Sequence, residues 1–290
     1  MNRFLSESKN KRYWYILYRA KSELIISRAF DFFRKNGLEP ILIKGWAAAR
    51  FYPNFERQFT DIDFCVAPED YEKARKILET DEGKYVQIDL HKGLRHLDKL
   101  PWEDLFANSE LIPVNGVPFR VLRVEDHLRV LCVHWLTDGG AYKEKLLDIF
   151  YAIENRPENF DWERFLDSAG AKRRRWFLCC LGLAKRYYGL NLENTPVGDE
   201  VENIPEWIIE TVEREWRDDL KLTPLESCMH DRKLLWRQIR KRIPPNPIQA
   251  TVDLEGSFDD SPRIFYQIVD FCIRLMRSAV KNGSRIIKGK

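Results

Sequence analysis

The chain has 290 residues, of which 44% are hydrophobic and 32% charged, and its formal net charge is +3. These proportions are typical of a globular protein and exclude a fibrous or largely disordered chain. The length allows one large domain or two of ordinary size. The small net charge gives no reason to expect nucleic-acid binding by the protein as a whole.

The cysteines and the N-terminal residues bear on the compartment. The six cysteines show no C-x-x-C spacing and lie mostly in apolar runs, which predicts buried thiols in a reducing compartment. Residues 1–12 are charged and carry no apolar core, so we expect no secretory signal. The uncharged run 177–184 is far shorter than the roughly 20 residues that cross a bilayer. We therefore expect a cytoplasmic protein with no membrane partner.

The first part of the chain alternates helices and short strands. Apolar residues at helical spacing predict a long helix from about Ser6 to Lys35. The elements predicted next are a strand over 40–44, a helix over 46–52, a strand over 60–66, a helix over 68–79 and a strand over 85–91. Asn115-Gly116 lies between the apolar runs 111–114 and 117–122, which predicts a hairpin with a two-residue turn.

From Val124 onward the apolar pattern is helical. Helices are predicted over 125–136, 143–154, 162–168, 173–188, 206–217, 231–242 and 263–281. The polar, acidic stretch 251–261 is predicted to be a surface loop. The pattern therefore predicts an α+β fold, with an α/β core and N-terminal helix over residues 1–123 and a helical domain over 124–290.

Three aspartates form a candidate metal site. Alternate side chains of a strand share a face, so Asp61 and Asp63 are predicted to point together. Paired carboxylates are costly without a cation, and Mg²⁺ takes oxygen ligands from one or two of them. Asp89, on the next predicted strand, adds a third carboxylate that can complete a two-ion site or accept a proton from a hydroxyl. Exposed acids at a sheet edge are the alternative.

Candidate phosphate contacts lie upstream of the aspartates. Lys44-Gly45 follows a buried strand, and Gly45 lets the backbone approach a phosphate closely at a helix start. An ordinary strand-to-helix turn is the alternative for Gly45. Arg57 is suited either to binding phosphate as a forked donor or to bridging a carboxylate as structural support, and the sequence leaves both roles open.

In this order the motifs resemble those of the nucleotidyltransferase superfamily, most closely an uncharacterised bacterial nucleotidyltransferase group. The shared pattern is an apolar strand with Lys-Gly, then Tyr-Pro, Arg, Asp-Ile-Asp and Asp-or-Glu-x-His, here Ile41–Gly45, Tyr52-Pro53, Arg57, Asp61–Asp63 and Asp89–His91. The resemblance covers roughly residues 38–190 and includes His134, the run Lys145–Asp148, and Asp161-Trp162.

The resemblance implies a small mixed sheet with flanking helices, joined to a helical domain, with the nucleotide bound between them. It implies transfer of a nucleoside monophosphate from a nucleoside triphosphate to a hydroxyl, with Mg²⁺ or Mn²⁺ as cofactor and pyrophosphate released. The metal ligands are then Asp61, Asp63 and Asp89, and the nucleotide-binding candidates are Lys44, Gly45, Arg57, Lys145 and Asp148. Trp46 stands where many members carry Ser or Gly after the conserved Gly, so Lys44 is the expected replacement for a hydroxyl contact to phosphate.

Two histidines and one helical pair have weaker support. His91 shares a strand face with Asp89, and because imidazole matches Mg²⁺ poorly we expect it to support the site rather than to ligate the ion. His134 is either a second supporting residue or a satisfied histidine on a packed helix. Lys145 and Asp148 are three apart, so an intrahelical ion pair is the alternative to a site role.

The sequence does not identify the acceptor. A small molecule, a sugar, a peptide or RNA would suit the chemistry, and we expect the helical part to bind it. Basic clusters at 173–175, 232–242 and 281–290 make nucleic acid possible, but solvated helix faces explain them better. An RNA- or protein-modifying, toxin-like transferase and a non-catalytic nucleotide-binding protein remain alternatives. The chain lacks a Walker loop, a G-x-S-x-G elbow and a dinucleotide glycine fingerprint, which argues against kinases, hydrolases and oxidoreductases.

Overall fold

In a computed structural model, the backbone is described for residues 2–94, 97–218, 220 and 222–287, and side chains are described within residues 13–277 of these ranges. The chain forms two compact units. The first comprises Met1–Leu131 and Asp148–Ala169, and the second comprises Cys132–Leu147 and Gly170–Lys290. Both unit boundaries before residue 150 fall inside helices, α5 (Val124–Thr137) and α6 (Lys143–Glu154).

The first unit contains a sheet flanked by helices. Its remaining elements, in chain order, are α1 (Asn2–Lys35), β1 (Ile41–Ile43), α2 (Gly45–Ala49), β2 (Asp63–Val66), α3 (Tyr71–Leu78), β3 (Asp89–Lys92), α4 (Trp102–Ala107), β4 (Glu110–Val114), β5 (Val117–Val121) and α7 (Trp162–Leu166). Short 3₁₀ turns lie at Pro53–Phe55 and Gly83–Tyr85.

The five strands form one mixed sheet in the order β3-β2-β1-β5-β4. The pairs β1–β2 and β4–β5 are antiparallel, whereas β1–β5 and β2–β3 are parallel. The mixed sheet and the helices that follow it confirm the predicted α+β class. The β4–β5 hairpin turns at Asn115-Gly116 with φ of 50° and 83°, the positive values that this dipeptide adopts in two-residue hairpin turns.

The core of the first unit lies between α1 and the sheet. Phe30 is fully buried, and its ring centroid lies 4.7 Å from that of Phe64 on β2 and 5.2 Å from that of Phe119 on β5. Trp46 is 2% exposed, packs 5.0 Å from the Phe119 ring, and donates its indole N–H to Glu23 Oε1 at 3.2 Å. Trp46 is therefore a core residue, which explains a large side chain directly after Gly45.

The second unit is helical. Its elements after α6 are α8 (Ala171–Tyr188), α9 (Glu206–Arg217), α10 (Arg232–Arg242), α11 (Pro247–Asp253) and α12 (Ile264–Ile287). Two of these helices, α10 and α11, begin with a side-chain cap. The Asp231 side chain accepts hydrogen bonds from the backbone N–H groups of Lys233 and Leu234. The Asn246 side chain accepts hydrogen bonds from those of Ile248 and Gln249. Across the described residues, no helix combines the length and the apolar character needed to span a bilayer.

Several predicted elements differ in extent. The strand predicted over 60–66 begins only at Asp63, and the strand predicted over 85–91 begins at Asp89 after the 3₁₀ turn. Helix α4 was not predicted, because six residues are too few to show a helical period. The prediction of a surface loop over 251–261 was wrong for its first residues, because α11 extends to Asp253 and Thr251 is buried. Phe258, later in the same stretch, is also buried. Cys272 is exposed, whereas the other five cysteines are buried.

His127 on α5 is buried in the first unit without a hydrogen-bond partner among the described residues for either ring nitrogen. Its ring lies 6.2 Å from that of Phe51. Burial lowers the pKa of His127 well below its usual value, and the charges of Arg50 and Arg57 lower it further. The imidazole is therefore neutral in the folded protein and leaves a buried polar group unsatisfied.

Replacing His127 by Leu is expected to stabilise the protein by about 1 kcal/mol near neutral pH, because an unsatisfied buried polar group is removed. The unfolded chain takes up a proton at this histidine below about pH 6.5, whereas the folded chain does not. As the pH is lowered below this value, the free energy of unfolding of the wild type therefore decreases by up to about 1.4 kcal/mol per pH unit because of this histidine. The variant lacks this decrease. Urea denaturation of both proteins between pH 7 and pH 5 measures the difference.

His230 provides the matched control, because it is exposed. His230→Asn is expected to leave the stability profile unchanged between pH 7 and pH 5. A His127→Leu protein whose stability falls with pH as steeply as that of the wild type would contradict this account of the buried imidazole.

Candidate active site

Two aspartates and a histidine meet where the parallel strands β2 and β3 begin. Asp63 is the first residue of β2 and Asp89 the first of β3, and the strand register pairs them directly. His91 lies two residues after Asp89 and therefore on the same face of the sheet. One ligand atom from each of these three side chains lies within 4.8 Å of the others, a spacing at which all three can hold one metal ion.

Asp63 is the buried centre of this cluster. Its Oδ1 accepts hydrogen bonds from Lys44 Nζ at 3.0 Å and from His91 Nε2 at 2.8 Å. His91 Nε2 also lies 3.3 Å from Asp89 Oδ2. The Asp63 side chain is only 10% exposed, whereas that of Asp89 is 65% exposed. Asp63 therefore anchors the cluster, and Asp89 presents its carboxylate to solvent.

The surroundings keep Asp63 ionised. Burial acts to raise the pKa of its carboxyl, but the hydrogen bond from His91 and the charge of Lys44 outweigh this effect, so the pKa lies below its usual value. The carboxylate is therefore charged at neutral pH, as a metal ligand must be.

Lys44 and Gly45 form a tight turn between β1 and α2. Lys44 has φ 56° and ψ −146°, and Gly45 has φ 34°. Positive φ is uncommon and costly for a residue with a side chain, and such strain collects at functional sites. A Cβ at Gly45 would lie 3.1 Å from the Asp61 carbonyl oxygen, so glycine also permits the close approach of these two segments.

Asp61 is exposed and precedes β2. Among the described residues it does not belong to the cluster of Asp63, Asp89 and His91. The predicted shared face of Asp61 and Asp63 requires both residues to lie in a strand, and sheet pairing begins only at Ile43–Asp63. The structure thus brings together two of the three predicted carboxylates and adds the histidine.

Arg57 forms a forked ion pair with Asp148. Its Nε and Nη2 donate to the two Asp148 carboxylate oxygens at 2.5 and 2.6 Å, and Tyr52 donates its hydroxyl to the same carboxylate at 2.6 Å. Arg57 Nη1 also donates to the Gly45 carbonyl at 3.2 Å. Of the two roles left open for Arg57, this geometry is that of the carboxylate bridge, and it braces the turn that carries Lys44.

Lys145 and His134 lie in the second unit. Lys145 Nζ donates to Asp138 Oδ2 at 2.7 Å and lies 3.4 Å from His134 Nε2. The partners of Lys145 and Asp148 are therefore Asp138 and Arg57, and not each other as the intrahelical alternative supposed. Sequence reasoning assigned no role to Tyr52 or Asp138. The Tyr-Pro pair marked Tyr52, whereas nothing in the sequence distinguished Asp138 from a surface acid.

The second unit also contains a cavity of about 490 Å³. Aromatic and charged side chains line it, among them Asp138, Tyr142, Trp216, Asp218 and Lys241. Lys143 Nζ lies 5.0 Å above the Trp216 ring. This volume lies within the range of pockets that hold small molecules.

Three cations of the basic clusters in the second unit pair with carboxylates of the protein itself. Arg173 is buried and pairs with Glu255 at 2.6 Å, and Arg174 pairs with Glu200 at 2.6 Å. Lys241 on α10 pairs with Asp218 at 2.8 Å. The solvated-face explanation is therefore wrong for Arg173, and these three cations are already paired. The cluster 281–290 lies outside the residues whose side chains are described.

Comparison with known proteins identifies the family. The family model described as "Uncharacterised nucleotidyltransferase" matches residues 11–189, more than half of the chain. The chain belongs to this nucleotidyltransferase family. No curated protein and no solved structure matched it.

Membership of the nucleotidyltransferase family supports nucleotidyl transfer as the general function, with a nucleoside triphosphate as substrate. The matched range includes Lys44, the Asp63–Asp89–His91 cluster and the Arg57–Asp148 pair. These contacts thus all lie within the residues that the family model matches.

The donor set of this nucleotidyltransferase fits a divalent cation. The buried Asp63 and the exposed Asp89 supply carboxylate oxygens, the ligands that Mg²⁺ and Mn²⁺ prefer. His91 already hydrogen-bonds Asp63, the arrangement in which a neighbouring group orients a carboxylate ligand.

Proposed function

We propose that this protein is a divalent-cation-dependent nucleotidyltransferase that moves a nucleoside monophosphate from a nucleoside triphosphate to an acceptor hydroxyl. The observation that carries the proposal is the convergence of Asp63 and Asp89 at the start of two parallel strands. Lys44 donates a hydrogen bond to the Asp63 carboxylate. Family membership supports the transfer chemistry, and the carboxylate pair supports its dependence on a metal ion.

In this proposal Asp63 and Asp89 hold Mg²⁺ or Mn²⁺, and Asp61 supplies a further carboxylate. A bound ion would offset the negative charge of the phosphates during transfer. His91 orients Asp63 through their hydrogen bond. Lys44 and Gly45 position phosphate oxygens, and Arg57 with Asp148 fixes the turn that carries both.

The reaction forms a bond between the acceptor oxygen and the α-phosphorus and breaks the bond between that phosphorus and the oxygen bridging to the β-phosphate. Pyrophosphate leaves with the electrons of the broken bond. The acceptor proton passes to the Asp89 carboxylate, which is suited to this role because its side chain is 65% exposed and belongs to the ion site.

We further propose that the helical part, residues 124–290, binds the acceptor. The cavity lined by Tyr142 and Trp216 supports this role, because aromatic faces and charged groups together suit a polar small molecule. Lys145 and His134 remain candidates for nucleotide contacts. Pairing of Arg173, Arg174 and Lys241 with carboxylates gives nucleic acid no added support.

The test incubates the purified full chain with each α-³²P-labelled nucleoside triphosphate, Mg²⁺ or Mn²⁺, and a cell extract. Label in small metabolites, sugars or peptides would identify the acceptor, and EDTA should abolish it. Label in RNA or protein would support the toxin-like alternative. Nucleotide binding without transfer in any fraction would support the non-catalytic alternative and overturn the proposal. Asp63→Asn is the control for contaminating enzymes.

A further inference from the structure

We propose that Lys44 is a resident counter-ion of Asp63 that leaves this carboxylate when a divalent ion is bound and then becomes available to the triphosphate. Metal binding and phosphate capture would be coupled through one side chain. This inference rests on the proposed function and adds a regulatory role for Lys44 to it.

Two donors crowd one oxygen atom of Asp63. Asp63 Oδ1 accepts a hydrogen bond from Lys44 Nζ at 3.0 Å and another from His91 Nε2 at 2.8 Å. The Lys44 side chain is 14% exposed and that of Asp63 10% exposed, so solvent screens this pair only weakly. A buried carboxylate requires a positive partner, and in this state the ammonium of Lys44 supplies it.

Lys44 and a divalent ion compete for the same carboxylate. Asp63 belongs to the cluster of ligand atoms within 4.8 Å of one another, so an ion held there would lie close to the ammonium. Two positive charges repel each other strongly at such a distance when solvent is largely excluded. Lysine has a flexible four-carbon stem and a compact charged end, so its end group can leave while its backbone stays fixed.

The backbone of Lys44 is held on both sides. Ile43 before it pairs with Asp63 in the sheet, and the Gly45 carbonyl after it is hydrogen-bonded. Lys44 has a strained positive φ, and the next residue, Gly45, is tied through its carbonyl to Arg57, which is itself locked by Asp148. The motion is therefore confined to the side chain. Because coupling between two sites is reciprocal, phosphate that draws Lys44 away also strengthens ion binding at Asp63.

The first test measures the reactivity of Lys44 in the wild-type protein. Acetylation by N-hydroxysuccinimide acetate, quantified by mass spectrometry of the Lys44 peptide, is followed with and without Mn²⁺ and no nucleotide. Lys44 acetylation should rise several-fold with Mn²⁺. Lys241 is the internal control, because it is 12% exposed and ion-paired with Glu215 and Asp218, and its rate should not change.

The second test measures Mn²⁺ binding from the electron paramagnetic resonance signal of free Mn²⁺. Lys44→Met removes the competing ammonium and should bind Mn²⁺ at least about fivefold more tightly than the wild type, the lower end of ordinary coupling between sites. Lys44→Arg keeps the charge and should bind Mn²⁺ no more tightly than the wild type. Thermal unfolding of both variants checks that they are folded.

Unchanged Lys44 acetylation on Mn²⁺ binding, or equal Mn²⁺ affinities of wild type and Lys44→Met, would overturn the counter-ion role. Metal-dependent label transfer would then still stand, so the failure would concern this inference alone. If neither the wild type nor the two Lys44 variants bound Mn²⁺, the counter-ion role would also be overturned. Absence of transfer in the labelling experiment would in addition overturn the proposed function.

Discussion

Replacing Asp63 by Asn is expected to lower nucleotidyl transfer by more than about a hundredfold, because loss of a residue that merely orients a metal ligand already costs 10–100-fold. The amide oxygen of Asn can still accept hydrogen bonds from Lys44 and His91, which preserves the packing. The variant loses the negative charge that holds a cation. Initial rates of label transfer under saturating triphosphate, with circular dichroism as a check on folding, measure the effect.

Two further variants sharpen this experiment. Asp81→Asn changes an exposed acid that pairs with Lys84 on the surface, and it should keep the wild-type rate. Asp61→Asn tests the carboxylate that lies outside the cluster and should cost less activity than Asp63→Asn. A wild-type rate in the Asp63 variant would contradict the proposed metal site. A larger loss in the Asp61 variant would move the site's centre to Asp61.

Replacing Asp148 by Ala is expected to lower the free energy of unfolding by about 3–5 kcal/mol, because breaking a buried ion pair leaves an uncompensated charge. The Arg57 side chain is 17% exposed and that of Asp148 6% exposed, so water replaces little of the lost pairing. Tyr52 also loses the acceptor of its hydroxyl. Urea denaturation followed by circular dichroism measures the change.

The double variant Arg57→Met with Asp148→Leu is the matched control. It removes both charges, so it leaves no unpaired guanidinium, and its loss of stability should be much smaller than that of Asp148→Ala. Equal losses in the two proteins would show that packing at residue 148, and not the unpaired charge of Arg57, causes the destabilisation. A single Asp148→Ala variant as stable as the wild type would contradict the ion-pair account altogether.

The sequence predicted those elements best whose local signals were complete. Helices α6 and α9 have the predicted bounds, because each carries apolar residues at helical spacing over three turns. The hairpin followed from Asn115-Gly116, a dipeptide that adopts the required positive φ. These signals lie within a few neighbouring residues and require no knowledge of the tertiary structure.

The candidate site was only partly predictable. Asp63, Asp89 and His91 were expected on neighbouring strands, and the strand register places them together. Asp61 was expected beside Asp63, but sheet pairing begins at Asp63, two residues too late for Asp61 to share a strand face with it. The start of a short strand depends on its partner strand, and the sequence of one strand does not contain that information.

Long-range partners were beyond sequence reasoning. Arg57 and Asp148 are separated by 91 positions, and nothing local to either residue indicates the other. Trp46 stands where many members carry Ser or Gly, and sequence reasoning assigned it no role of its own; the helical turn of α2 directs it toward Phe119 and Glu23. In both cases the packing of distant elements decided the role of the side chain.

The return of residues 148–169 to the first unit limits how this protein can be dissected. A fragment that ends at residue 123 or 131 would lack Asp148, so Arg57 and Tyr52 would lose their shared carboxylate and the Lys44-Gly45 turn its brace. Fragments intended to isolate the sheet with its aspartates should therefore extend at least through Ala169.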